Sequence, residues 1–114
     1  MADKPLDLTL ELSINGTVVS QPPYASMFWS PAQMLAHMTV NGASVRTGDL
    51  YASGTVSGER ADEVGSLIER YDNERFLADG DDVVISGTAP ATDGSSLSLG
   101  EVSGTVLPAT SMTL

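Results

Sequence analysis

Three features of this sequence have residue types and spacings that could do chemistry. The run Ser53-Gly54-Thr55-Val56-Ser57-Gly58 places two glycines among hydroxyl side chains. Glycine lets a ligand approach the backbone closely, and hydroxyls can hydrogen-bond an anionic group. The run lacks the lysine and the spacing of a phosphate-binding loop, so an ordinary turn is the alternative. Glu69 is the second feature. Read as a strand, Ser66 to Tyr71 puts Glu69 on one face with Leu67 and Tyr71, and Ile68 on the other. A carboxylate on a half-buried face requires a partner, such as an arginine, a histidine or a metal ion. An edge-strand charge that reaches water, or an ion pair with a neighbouring arginine, is the alternative. The third is His37, the only histidine. It lies off the apolar stripe of its helix, and no serine elbow accompanies it, so a structural role is the expectation.

The elements that would position these residues are short. Leu6, Leu8, Leu10, Leu12 and Ile14 alternate with Asp7, Thr9, Glu11 and Ser13, the pattern of a half-buried strand. Asn15-Gly16 follows as a hairpin turn, with Thr17 to Val19 returning. Gln21-Pro22-Pro23 breaks regular structure. Ser30 as N-cap, Pro31 at the first position and Gln33 completing a capping box predict a helix over 31–40, stopped by Asn41-Gly42. Strands are expected over Asp49 to Ser53, Ser66 to Tyr71, Val83 to Ser86, Leu97 to Leu99 and Val102 to Leu107. Phe28 and Trp29 are expected in the core, Glu59 to Glu63 in a solvated loop, and Asp79-Gly80-Asp81-Asp82 in a turn. That last run resembles part of a calcium loop but lacks the later ligands and the closing glutamate. Several short strands and one helix make a mainly β domain.

Length and charge exclude other classes. The 114 residues suffice for one small domain. Fifteen acidic residues against five basic ones give a net charge of −10. No lysine–arginine cluster is present to displace counterions from phosphates, so no nucleic-acid partner is expected, and an acidic membrane surface is disfavoured for the same reason. No apolar run reaches the roughly 20 residues that a spanning helix needs, and no signal-peptide pattern opens the chain. The absence of cysteine excludes disulfides and thiolate metal sites and suits a cytoplasmic location.

Taken in order, further motifs point one way. Phe28-Trp29 precedes the helix, followed by Val40-Asn41-Gly42, Arg46-Thr47-Gly48-Asp49-Leu50, Ala52-Ser53-Gly54-Thr55 and Gly65-Ser66-Leu67-Ile68-Glu69. Phe76-Leu77-Ala78-Asp79-Gly80-Asp81 and Gly104-Thr105-Val106-Leu107-Pro108-Ala109 complete the series. From about Leu6 to Ala109 the chain resembles the carboxy-terminal part of the fumarylacetoacetase (fumarylacetoacetate hydrolase) family. Gly-Asp-Leu followed by Ser-Gly-Thr is shared by the broader superfamily. Val40-Asn41-Gly42, Ser57-Gly58-Glu59 and the Val-Leu-Pro-Ala ending are the more specific signals.

The resemblance implies that residues 1–114 belong to a catalytic domain built as a mixed β-roll, assembled as a homodimer. It implies hydrolysis of 4-fumarylacetoacetate to fumarate and acetoacetate, the last step of tyrosine breakdown, with a divalent cation, Mg2+ or Ca2+. Glu69 matches the carboxylate that orients the water-activating histidine. Thr55, with Gly54 beside it, matches the residue that binds the substrate carboxylate. His37 matches no catalytic position. The family's catalytic histidine, its metal ligands and its Arg, Gln and Lys groups lie upstream and map to nothing here. The isolated chain is therefore expected to be inactive, with exposed apolar surface and sheet edges, until the upstream half supplies them from the same polypeptide or a partner subunit. Two other readings remain: a superfamily relative such as an acylpyruvate hydrolase, decarboxylase or isomerase of aromatic-acid breakdown, and a non-catalytic fragment or binding module.

Overall fold

The computed structural model describes residues 6–111. Among them, four strands form one antiparallel sheet: β1 (Thr9–Ile14), β2 (Thr17–Ser20), β3 (Asp82–Pro90) and β4 (Ser96–Thr105). Their order across the sheet is β2-β1-β3-β4. The domain is mainly β, as the alternation and turn signals indicate. Leu8, Leu10, Leu12 and Ile14 are half-buried, and the strand that carries the last three begins at Thr9.

The β1–β2 turn has the predicted chemistry. Asn15 and Gly16 take φ of 51° and 75°, the left-handed values that a type I′ turn demands at both central positions. Asn15 then does a second job. Its amide donates to Asp81 Oδ1 at 2.8 Å and its carbonyl oxygen accepts from the Asp82 N–H at 2.9 Å. The tip of the first hairpin is thereby fastened to the start of β3, 67 residues later.

Both edge strands carry an extra residue. Against β1, Leu12 faces Ser20 but Ser13 faces Val18, so β2 bulges at Val19. Against β3, Ser86 faces Glu101 but Thr88 faces Ser98, so β4 bulges around Gly100, whose φ is 81°. A glycine in the left-handed region is what that type of bulge uses. The bulge also explains why the sequence reads as two strands, Leu97 to Leu99 and Val102 to Leu107: it is one strand interrupted by a register change.

The capping box forms as predicted. Ser30 Oγ accepts from Gln33 N at 3.2 Å, Gln33 Oε1 accepts from Ser30 N at 2.9 Å, and α1 spans Pro31–Thr39. Gly42, at φ 87°, donates to Thr39 O and closes the end. Tyr24–Ser26 forms a single 3-10 turn after the double proline.

Two expected strands are absent. Asp49 to Ser53 pairs with no strand; the Asp49 carboxylate instead accepts from the Arg46 N–H at 2.8 Å, closing a turn through Gly48 at φ 92°. Ser66 to Tyr71 is not a strand but a single helical turn, α2 (Leu67–Tyr71). Its N-cap Ser66 accepts from Glu69 N at 3.3 Å, and Asp72 and Asn73 end it at φ 51° and 66°. The Ser-x-x-Glu spacing at 66–69 carried that signal, and the apolar alternation masked it.

Apolar burial is sparse. Val56, 8% exposed, is the one buried hydrophobic residue among those described. Phe28 and Trp29, expected in the core, are 84% and 57% exposed, and they stack on each other edge to face at 4.8 Å. The radius of gyration is 17.2 Å, against about 13 Å for a compact domain of this length. The accessible surface is 8858 Å², against roughly 6,000 Å² for a compact protein of this mass.

The Asp81 corner makes two predictions for the native protein. The Asp81 carboxyl is held below its usual 3.8, first by the Ala78 N–H, then by the Asn15 amide, with a smaller attraction from Arg75. A carboxyl that binds its proton less readily folded than unfolded stabilises above about pH 4 and loses that contribution as pH falls below it. Acid unfolding should therefore steepen below about pH 4 and flatten in Asp81→Asn. Asn15→Ala, which removes two hydrogen bonds and strains φ, should cost about 1–3 kcal/mol in urea unfolding; an unchanged midpoint would contradict the tie between hairpin and β3.

Candidate functional site

Residues 53–66 lead from the region of α1 back to the sheet, and backbone bonds fix where they lie. Ser20, the buried end of β2, donates its hydroxyl to Val64 O, with Asp62 O farther off at 3.3 Å, and Gln21 N donates to Asp62 O at 2.7 Å. Gly58 N donates to Glu63 O at 2.7 Å. The segment from Glu59 to Glu63 is a solvated loop, exposed from Glu59 to Asp62 as expected, and it is tied to the sheet at its end. Within it Arg60 pairs with Asp62 at 2.7 Å on the surface, and Glu63, only 18% exposed at its side chain, accepts from Arg60 N.

Gly65 is the point where two backbone stretches meet. A β-carbon there would lie 2.3 Å from Val56 O, 2.4 Å from Thr55 Cγ2 and 2.7 Å from Ser57 Oγ. No side chain fits, so residue 65 must be glycine for residues 55–57 to lie against it. That approach buries Val56 and places Gly54, Thr55 and Gly65 beside Leu10, Leu12 and Ile85 of the sheet, around a shallow cleft of about 210 Å³.

The same approach brings Glu69 to this stretch. Its Oε2 accepts from Gly65 N at 2.9 Å and from Ser57 Oγ at 2.8 Å; its Oε1 lies 3.1 Å from the same hydroxyl. Ser57 Oγ also accepts from Gly65 N at 3.1 Å. Glu69 thus finds the partner its position demands, but the partner is a hydroxyl and a backbone N–H rather than an arginine, a histidine or a metal. It is solvent-exposed, not half-buried on a sheet, because α2 presents it outward from its first turn. Thr55 is exposed too, and Gly54 takes φ of 80° with open space around it. Gly54, Thr55 and Glu69 therefore share one corner, with Gly65 in contact with both Thr55 and Glu69.

Ser57 and Gly65 are the members of this corner that sequence reasoning did not assign. Ser57 was legible only as a hydroxyl in a glycine-rich run, and Gly65 as part of a motif. His37 stands apart, exposed in the last turn of α1 beside a cleft of about 550 Å³ lined by Trp29, Met38, Ala52 and Ser53. Beyond Glu69, Arg70 and Arg75 flank the Tyr71 ring at 5.7 and 5.1 Å, a cation–π arrangement that holds the end of α2. Asp79 and Gly80 form a turn just before β3, as expected, with Gly80 at φ 89°. Among the described residues no three His, Asp or Glu side chains converge where they could hold a metal ion.

The family profile described as fumarylacetoacetate (FAA) hydrolase C-terminal matches residues 1–107. The chain is 36% identical over 123 aligned residues to a fumarylacetoacetase of Mus musculus, covering 92% of this chain and 29% of the relative. It is 35% identical to a fumarylacetoacetase of Emericella nidulans and 33% to one of Homo sapiens, in each case over 94% of this chain and 28% and 30% of the relative. The chain thus spans a little under a third of the length of these relatives.

The Gly65 contact predicts that Gly65→Ala destabilises the native protein by about 1–3 kcal/mol, the cost of forcing atoms into a closed contact. Gly54→Ala pays only for its left-handed φ, so it should cost less, in thermal unfolding of the two variants side by side; equal costs would remove the special role of Gly65.

Proposed function

The chain belongs to the fumarylacetoacetate hydrolase family, and from that membership we propose that it forms part of a hydrolase that cleaves the C–C bond of 4-fumarylacetoacetate. The products are fumarate and acetoacetate, and the step is the last one of tyrosine breakdown. A cytoplasmic location and a homodimer belong to the same proposal. The observation that carries it is the fixed carboxylate of Glu69 in the corner that also bears Gly54 and Thr55.

In this reading Glu69 is a positioning group for a histidine base supplied from upstream. A carboxylate that accepts the N–H of an imidazole fixes its tautomer and aims the other nitrogen at water. It also stabilises the positive charge that appears when the base takes the water proton. Glu69 suits that role because two donors already hold it in place and its exposed side leaves room for the partner. Thr55 offers a hydroxyl to the substrate carboxylate, and Gly54 keeps the adjoining backbone free of a β-carbon that would block the approach.

The resemblance implies a divalent cation, Mg2+ or Ca2+, which would supply Lewis-acid chemistry for this reaction when bound. The residues described here do not fit such an ion, since no three acidic or histidine side chains converge among them. We assign its ligands, with the catalytic histidine, to upstream residues. The same upstream part would cover Phe28, Leu50, Val40 and Val102, which are 74–94% exposed. Uncovered apolar surface on that scale marks a face built for a neighbour.

Three outcomes follow. The 114-residue chain alone, supplied with magnesium or calcium, should show no turnover of fumarylacetoacetate, and measurable hydrolysis would refute the assignment of the base and cation elsewhere. In the native protein that carries this sequence, Glu69→Gln should lower kcat by about 100-fold or more, with little change in melting temperature. Thr55→Val should raise KM for fumarylacetoacetate more than it lowers kcat. A Glu69→Gln variant with full activity would remove Glu69 from the reaction. Turnover of simple acylpyruvates in preference to fumarylacetoacetate would replace this substrate with that of a superfamily relative.

A further inference from the structure

The two oxygens of Glu69 are not equivalent. Oε2 receives the Gly65 N–H at 2.9 Å and the Ser57 hydroxyl at 2.8 Å, while Oε1 has only the longer 3.1 Å approach to that same hydroxyl. A hydroxyl has one proton to donate. Ser57 Oγ also accepts from Gly65 N at 3.1 Å, so its remaining hydrogen-bonding capacity is directed at the carboxylate, and the nearer oxygen takes the proton. Oε2 is thereby supplied with two donors on the inner side, and Oε1 keeps lone pairs for a group arriving from outside.

Ser57 is itself held in place. Its carbonyl oxygen lies 2.8 Å from Ser26 Oγ, which shares its one proton with Pro23 O at 2.7 Å, and the next residue, Gly58, donates its N–H to Glu63 O at 2.7 Å. A β-carbon at Gly58 would lie 2.2 Å from Glu63 Oε2, so this backbone has little room to shift. The hydroxyl is therefore presented by a stretch of chain pinned on both sides.

We infer that Ser57 is a positioning residue for the reaction: it locks the Glu69 carboxylate so that Oε1 is the oxygen offered to the N–H of the histidine base. The inference rests on the reading of Glu69 as the carboxylate behind that base. Without the Ser57 hydroxyl, Oε2 keeps one donor, the Gly65 N–H, and the carboxylate can turn about its terminal bond. The base then loses its fixed direction, while the Thr55 contact with substrate is untouched. A fault of that kind appears in kcat and not in KM.

The test is a double-mutant cycle in the native protein, with fumarylacetoacetate hydrolysis as the readout. Ser57→Ala should lower kcat about 10-fold with KM within about twofold, the loss expected from one hydrogen bond to a charged group. Ser57→Thr, which keeps the hydroxyl, should restore most of it. In a Glu69→Gln background the further loss from Ser57→Ala should shrink to under about threefold. If Ser57→Ala fails to fold, Ser57→Cys, similar in size and a weaker donor, takes its place in the cycle. An unchanged kcat in Ser57→Ala, or an equal loss in both backgrounds, overturns the role of Ser57 and leaves that of Glu69 standing. Full activity in Glu69→Gln overturns the parent reading as well.

Discussion

Two stretches of backbone meet at Gly65 at a distance that admits no β-carbon, and the carboxylate corner depends on that meeting. Residues 55–57 arrive from the turn after α1, and residues 64–66 arrive from a corner tied to the end of β2. Neither stretch is part of a strand, so no ladder of backbone bonds sets their separation. The contact sets it instead. Once closed, it brings the Gly65 N–H and the Ser57 hydroxyl to the same oxygen of Glu69 and puts Thr55 on the outside of the same corner. A site built from irregular chain is thus as constrained as one built on strands, because packing of main chain on main chain is unforgiving of even one methyl group.

The sheet supplies the platform and little else. Its two hairpins are well formed, but the side chains above and below it lack a second layer among the described residues. A sheet face or helix stripe must be buried against another element to gain from its apolar residues. Here α1 turns Leu35 and Met38, more than a third exposed, together with Trp29, toward solvent, and β4 does the same with Leu97, Leu99 and Val102. Fully burying an exposed side chain of this kind contributes about 1.5–3 kcal/mol, and covering these partly exposed ones contributes correspondingly less. A neighbouring part of the protein that covered these residues would add stability as well as complete the proposed site.

What could be read from the sequence was what short-range chemistry decides. Asn15-Gly16 dictates its turn because few other pairs tolerate two positive φ values, and Ser30, Pro31 and Gln33 dictate the start of α1 because each satisfies an orphan donor or lacks one. What could not be read was decided by partners far along the chain. Asp49 to Ser53 looks extended and apolar enough for a strand, but no neighbour offers it an edge. Ser66 to Tyr71 alternates like a strand over too few residues to tell a period of 2 from one of 3.6, and the serine cap settled it. The place of Glu69 at the corner follows its motif, but its partners, Ser57 and the Gly65 N–H, become visible only when the two backbones are brought together. Phe28 and Trp29 have core chemistry without a core to enter.

The order of the strands has a consequence for how the molecule comes to exist in time. β1–β2 and β3–β4 are local hairpins, each closed by a short turn, and hairpins of that kind form in about 1–10 μs. Joining β1 to β3 is different, because residues 21–81 must be drawn into a loop before the first bond between those strands is made. The entropy of that closure is spent before any contact repays it, which makes it the slow event. Every residue of the Glu69 corner lies inside this loop. The corner therefore assembles behind the kinetic barrier, and the clasp of Asn15 on Asp81 and Asp82 is the latch that keeps the loop shut once it has been crossed.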